Sequence, residues 1–244
     1  MSLGIDENII KITAGIVCLG IGYLGLRHKI LNFSGVLSGI IIGLGILLIL
    51  PVVWFIPFMA LFFIGGLTAK YKYHEKEIIG VAEQKEGRSV KNILANCGVA
   101  FLCVILYAIN PDPVFLAGYL CAIATATSDT SASEIGQLSS RKPILITTLK
   151  EVKTGTDGAV SLLGESAALI AAVFVSAIPM IFGFENGVYY FIIGTVAGFL
   201  GCHVDSIIGA TLQLKGVVDN HGTNLIATLS GAVIGMVLWV FIMI

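Results

Sequence analysis

Charge is what this chain has least of. Only 12% of its 244 residues are Asp, Glu, Lys or Arg, where a soluble domain carries roughly 25%. Hydrophobic residues make up 57%, and the mean hydropathy is +0.97. Such a composition excludes a soluble globular domain, a disordered tail and a nucleic-acid-binding surface, which all need more charge. The five cysteines are scattered as Cys18, Cys97, Cys103, Cys121 and Cys202, with no C-x-x-C. They lie within or beside apolar runs and read as small core residues, not as a zinc site or a disulfide framework. G-x-x-x-x-G-K-[ST], H-E-x-x-H and a dinucleotide fingerprint are all missing, and no Ser-His-Asp arrangement is visible. The first apolar run follows Asp6 and Glu7 without a small-x-small cleavage site, so a retained span is expected, not a signal peptide.

What is present is apolar run after apolar run. Helices are expected near 9–26, 30–50, 52–69, 93–109, 114–130, 158–182, 188–209 and 223–244, each close to the ~20 residues a bilayer crossing needs. The fold class is therefore all-α: a polytopic transmembrane helix bundle of about eight spans, as one integral membrane domain over 1–244. Pro51, Asn-Pro-Asp-Pro at 110–113 and Gly-Phe-Glu-Asn-Gly at 183–187 are tight breaks between spans. Gly35, Gly39 and Gly43 form G-x-x-x-G steps suited to close helix packing. Alternating the loops puts 13 of the 14 Lys and Arg residues on one side, all but Lys11. The positive-inside rule then makes the loops at about 70–92, 131–157 and 210–222 cytoplasmic, with both termini outside.

Polar residues gather where spans meet those loops. Spacings of four keep side chains on one helix face. Five such rows occur: Arg88, Asn92 and Asn96; Asp129, Ser133 and Gln137; Asp157, Ser161 and Glu165; Asp205, Gly209 and Gln213; Asn220, Asn224 and Thr228. Five rows at cytoplasmic helix ends point to one shared polar cavity, against the alternative of unrelated caps and surface groups. Asp129-Thr130 with Gln137-Leu138 repeats as Asp205-Ser206 with Gln213-Leu214, a short hint of an internal repeat.

The residue types suit a particular chemistry. Asp129 and Asp205 are hard oxygen donors of the kind Mg²⁺ takes alongside substrate phosphates; each is also a candidate helix cap or partner of a loop lysine. Glu134 points away from Asp129 if the helix continues, and joins a metal site only if the chain turns there. Lys150, Lys153, Thr154, Gly155 and Thr156 run straight into an apolar helix, and a helix start with free N–H groups binds anions. An ordinary basic loop on anionic lipids is the competing account. Glu165 is expected about two turns inside a span, where a charge costs ~2.5–3.5 kcal/mol. His203 sits near the same depth and reads as a core histidine.

These blocks resemble a known family. Asn-x-x-x-Asn-x-Gly at 92–98, Asp-Thr-x-x-x-Glu-Ile-Gly at 129–136, the Lys-x-Val-x-x-Gly-Thr-x-Gly-Ala-Val-Ser-x-x-Gly stretch at 150–164 and Asp-Ser-x-x-Gly-Ala-x-x-Gln at 205–213 are similar to polytopic membrane proteins long described only as having unknown function. That family includes the plant chloroplast phytyl-phosphate kinase and a widespread animal transmembrane protein. The resemblance runs through nearly the whole chain in order. It implies a kinase that uses a nucleoside triphosphate, CTP with Mg²⁺, to convert a prenyl monophosphate to the diphosphate. Asn92, Asn96, Asp129, Glu134, Lys150, Gly155, Thr156, Ser161 and Asp205 fall on motif positions. Lys153 stands where the family often has Pro, and Ser131 where a bulky residue is common.

The expected mechanism places Asp129 and Asp205 on Mg²⁺, Lys150, Lys153 and the helix start at 155–158 on the phosphates, and Arg88 as a bidentate clamp. Asn92 and Asn96 supply amide contacts, and Glu165 orients the acceptor or completes the metal site. Ser161, Gln213 and Asn224 complete the binding set. The expected partners are a prenyl phosphate, a nucleoside triphosphate and membrane lipid, at the cytoplasmic face of a prokaryotic plasma membrane. Two alternatives stand: a membrane cytidylyltransferase making a CDP-lipid, and a small-solute or ion transporter.

Overall fold

The computed structural model describes residues 6–82 and 87–243; Lys85, counted above among the loop cations, lies outside the described residues. Its helices are α1 (Glu7–Arg27), α2 (Phe33–Ile49), α3 (Phe55–Lys70), the short α4 (Tyr73–Ile78), α5 (Val90–Ile109), α6 (Pro113–Gly136), α7 (Leu162–Ile181), α8 (Gly187–Ile208) and α9 (Asn220–Met243). The protein is a polytopic helical membrane protein. By length and composition, α1, α5, α7, α8, α9 and α3 with its leading turn are long and apolar enough to cross a membrane, and α2 is a shorter apolar helix. The strand content among the described residues is one antiparallel pair, β1 (Ile144–Leu145) with β2 (Ala159–Val160). It clips the loop between α6 and α7 onto itself.

Local chemistry sets the helix ends. Asp112 caps α6, accepting from the Val114 N–H at 2.9 Å, with Pro113 as the first helical residue; Pro there loses no hydrogen bond and has the right φ. Asn32 caps α2 through the Gly35 N–H at 3.0 Å. Ser89 and Asn92 form a reciprocal capping box at the start of α5.

The bundle is organised around α6, which packs against α3, α5, α7, α8 and α9. Sixteen of its residues are buried. Small residues on the neighbours allow this. A Cβ on Gly198 would sit 2.7 Å from the Ala124 Cβ, and one on Gly231 or Gly201 would run into Thr125. By contrast α1 buries only Cys18, Gly22 and Gly25.

Three boundaries differ from the sequence expectation by more than three residues. First, α6 continues to Gly136 instead of stopping near 130, because its Ser and Thr side chains are buried between helices and the backbone stays satisfied within the helix. Second, α7 starts at Leu162, not 158; Asp157 lies in the turn before β2, outside any helix, so the row Asp157–Ser161–Glu165 is not a helical row. Third, α8 ends in a wider turn over Gly209–Gln213, in which the Leu214 N–H reaches back five residues to the Gly209 carbonyl at 3.1 Å.

Candidate active site at the helix ends

The start of α5, the end of α6, the start of α7, the end of α8 and the start of α9 meet around one cavity of about 340 Å³. The sequence of alternating starts and ends follows from a chain that reverses direction at each break. The turn at 154–160 forms a further wall. Gly158 makes this possible. Its φ of 72° and its contact with α8 both exclude a side chain, since a Cβ would overlap the Ala210 backbone N.

Asp129 and Asp205 meet in this cavity, their carboxyls within hydrogen-bonding reach of each other. Two carboxylates that close repel unless a proton or a cation lies between them. With its amide turned to satisfy its neighbours, Asn224 donates to Asp205 Oδ1 at 3.2 Å and to the Asn220 carbonyl at 3.0 Å. Arg88 lies close enough to act on Asp129 electrostatically. Gly65 of α3 gives its guanidinium room, because a Cβ there would meet Arg88 Nη1 at 2.9 Å.

The amides line the same space. Asn96 donates from Nδ2 to the Asn92 carbonyl at 2.9 Å, while its Oδ1, like Gln137 Oε1, is buried without a protein partner. Buried polar atoms are rarely left unpaired, so both are acceptors waiting for a donor. Ser161 caps α7 by accepting from the Gly164 N–H at 3.1 Å and donates to the Gly136 carbonyl at 3.2 Å, which ties the start of α7 to the end of α6. Asp157 keeps an exposed edge. Partial burial raises its carboxyl above the ordinary carboxylate range, and a hydrogen bond with Gln213 opposes the rise.

Several expected roles change. Glu165 lies in the first turn of α7, not two turns inside a span, because α7 begins late. It pairs with His203, whose Nε2 is 3.1 Å from its Oε2, so His203 is part of the cavity's second layer and not a lone core histidine. Glu134 lines the cavity but its carboxylate is taken by Lys76, at 2.5 Å. The helix does continue through Glu134, but the residue lines the same cavity as Asp129 instead of pointing away from it. Lys150 and Lys153 are exposed and do not line the cavity; only Thr154, Gly155 and Thr156 of that stretch do. The helix start expected at 155–158 is a turn, closed by the Thr156 N–H on the Lys153 carbonyl at 3.1 Å. Lys76 was missed. Its partner is 58 residues away, and one lysine in a basic loop carries no local signal.

Can this donor set hold Mg²⁺? Among the described residues no group of three or more His, Cys, Asp or Glu side chains is disposed around a point. The Asp129–Asp205 pair nevertheless fits a hard cation that takes one or two carboxylates and completes its shell with water and phosphate.

Residues 16–232 match the family described as "Integral membrane protein DUF92". The chain belongs to this family. Among its relatives, "Uncharacterized membrane protein MJ0933" of Methanocaldococcus jannaschii is 33% identical over 98% of this chain and 99% of its own length. "Uncharacterized membrane protein sll0875" of Synechocystis is 35% identical over 79% of this chain and 77% of its own. "Protein VTE6, chloroplastic" of Arabidopsis thaliana is 32% identical over 78% of this chain and 59% of its own. The family is the one that includes the plant phytyl-phosphate kinase. No solved structure matches the chain significantly.

Proposed function

We propose that the protein is a prenyl-phosphate kinase that takes the terminal phosphoryl group of a nucleoside triphosphate, CTP by the family resemblance, with Mg²⁺. The observation that carries this is the meeting of Asp129 and Asp205 at one end of an apolar bundle. A lipid phosphate anchored by its chain would present its head at that depth. The acceptor is an oxygen of the prenyl monophosphate. It forms a bond to the terminal phosphorus of the triphosphate as the bridging P–O bond breaks, and the nucleoside diphosphate departs. The acceptor is anionic near neutral pH, so no strong base is needed, and catalysis is positioning and charge neutralisation.

Asp129 and Asp205 are the residues that would hold the metal, whose chemistry is to offset charge on the triphosphate. Arg88 supplies the fixed cation and its planar fork. Thr154 and Gly155, which line the cavity, take the phosphate-contacting role first expected of Lys150 and Lys153. Asn96 and Gln137 accept from donors on the nucleotide or its water. Glu165, held by His203, orients the acceptor. In this reading the cavity faces the cytoplasm of a prokaryotic plasma membrane, as the basic loops favour.

The test is a product assay on detergent-purified protein with Mg²⁺, each of CTP, ATP, GTP and UTP, and prenyl phosphates of graded length. A prenyl diphosphate with a nucleoside diphosphate supports the kinase. A CDP-lipid with pyrophosphate replaces it with cytidylyl transfer. No turnover with any pair, in folded protein, discards both and leaves transport. Cysteines placed in the 137–157 loop and labelled in intact cells check the orientation.

A further inference from the structure

The cavity has a charge problem. Asp129, Glu134, Asp157, Glu165 and Asp205 all line it, with Arg88 as the basic residue among the described lining. A phosphate-bearing substrate is repelled by such a wall unless some of those acids are cancelled from behind. One of them visibly is. Lys76 of α4 is wholly buried. Its Nζ donates to Glu134 Oε2 at 2.5 Å, to the Thr68 carbonyl at 2.8 Å and to the Ala69 carbonyl at 3.3 Å. The two carbonyls belong to the last turn of α3, where acceptors lack helical partners and the helix dipole is negative. Lys76 thus satisfies three acceptors and has no contact with solvent. Lysine is almost never buried unless it is paired in this way.

The same contact joins three elements: α4, the end of α3 and the end of α6. Five residues after Lys76, Val81 lines the cavity and packs on Gly155, where a Cβ would come within 2.7 Å of its Cγ1. The pair therefore acts on the cavity twice, through the charge of Glu134 and through the placement of Val81 on the 154–158 turn.

We propose that Lys76 is a positioning residue that pins α4 and cancels the Glu134 charge from behind the cavity wall, so that an acid-rich cavity admits an anionic substrate. The part concerning the anion rests on the phosphotransfer reading above.

The experiment compares wild type with Lys76→Met, Glu134→Gln and the double variant, as full-length protein in detergent. Binding of CTP with Mg²⁺ is measured at low and high salt, and thermal midpoints are recorded beside it. Lys76→Met leaves an uncompensated carboxylate and is expected to weaken CTP binding about tenfold at low salt, with a smaller penalty at high salt. The double variant removes both charges and is expected to return to within about threefold of wild type. A strut without an electrostatic role predicts the opposite, because Met and Gln cannot restore the contact. A folded double variant as weak as Lys76→Met, or Lys76→Met binding as wild type does, overturns the proposal. Where Lys76→Met fails to fold, Glu134→Gln decides: binding of CTP tighter than wild type at low salt supports the proposal, and binding equal to or weaker than wild type sinks it. Failure of the wild type to bind or turn over any nucleotide overturns the phosphotransfer reading instead. The midpoints then judge the pair alone. Lys76→Met should lower the midpoint and the double variant recover part of the loss, and no recovery refutes charge cancellation.

Discussion

Helices α1 and α6 are nearly the same length, 21 and 24 residues, and occupy opposite environments. Of the two, α1 meets the length and hydropathy of a membrane-crossing helix and α6 does not. Yet α1 lies at the edge, burying three residues, and α6 is the centre, burying sixteen. In water the more apolar helix would be inside. In a bilayer, lipid takes the apolar side chains as readily as protein does, so the inside is left for helices whose neighbours can satisfy polar groups and whose small residues permit close approach. The helix at the centre is, of the two, the one that reads less like a span.

The comparison can be broken at α6 most violently by adding bulk where its neighbours approach. Gly231→Val on α9 would drive a side chain into Thr125 and within 3.3 Å of the Cys121 carbonyl. We expect a cost of about 3 kcal/mol or more, enough to abolish the monodisperse peak in size-exclusion chromatography. Next in size is chemistry without folding. Asp129→Asn and Asp205→Asn should each lower turnover by about a hundredfold or more at an unchanged elution volume. Full activity in both would overturn the metal-holding role proposed for them. Smaller again is Ser161→Ala, which deletes the cap of α7 and its tie to Gly136. It should lower stability by about 1 kcal/mol, read as a fall in thermal midpoint. Least of all is Gly20→Leu on α1, where nothing lies within 4 Å of the added Cβ. Its stability should stay within about 0.5 kcal/mol of wild type, and a larger loss would mean that α1 is covered by protein in the membrane.

Much of this was legible as pattern. The apolar runs located the long helices to within a few residues, because membrane spans announce themselves by composition alone. Asp129, Asp205, Arg88, Asn92, Asn96, Gln137, Gln213 and Asn224 were drawn together by their position at helix ends, and the structure brings all of them to one cavity. What failed was local reasoning about polar stretches. Thr130, Ser131 and Glu134 look like the start of a loop, yet they are buried in helix, since burial depends on neighbours distant in sequence. The loop at 137–161 looked like a run into a helix. It folds back on itself through β1 and β2, a pairing of two residues each that no periodicity reveals. The lysines near it pointed to phosphate, but the cation that acts on the wall comes from α4.

Asp205 and Gln213 are eight residues apart, as are Asp129 and Gln137. On an ordinary helix eight residues rotate a side chain roughly 80° off its starting line. The wide turn at Gly209–Gln213, with its five-residue hydrogen bond, advances each residue by less and so turns Gln213 back toward the face of Asp205, and both line the cavity. In α6 no such winding change occurs; the helix stops at Gly136 and Gln137 serves as its cap. The same written interval is thus spelled by two different backbones. A residue inserted or deleted between Asp205 and Gln213 should rotate the amide out of the cavity, and one in the α6 interval, helical through Gly136 and tied there to Ser161, should displace Gln137 in the same way.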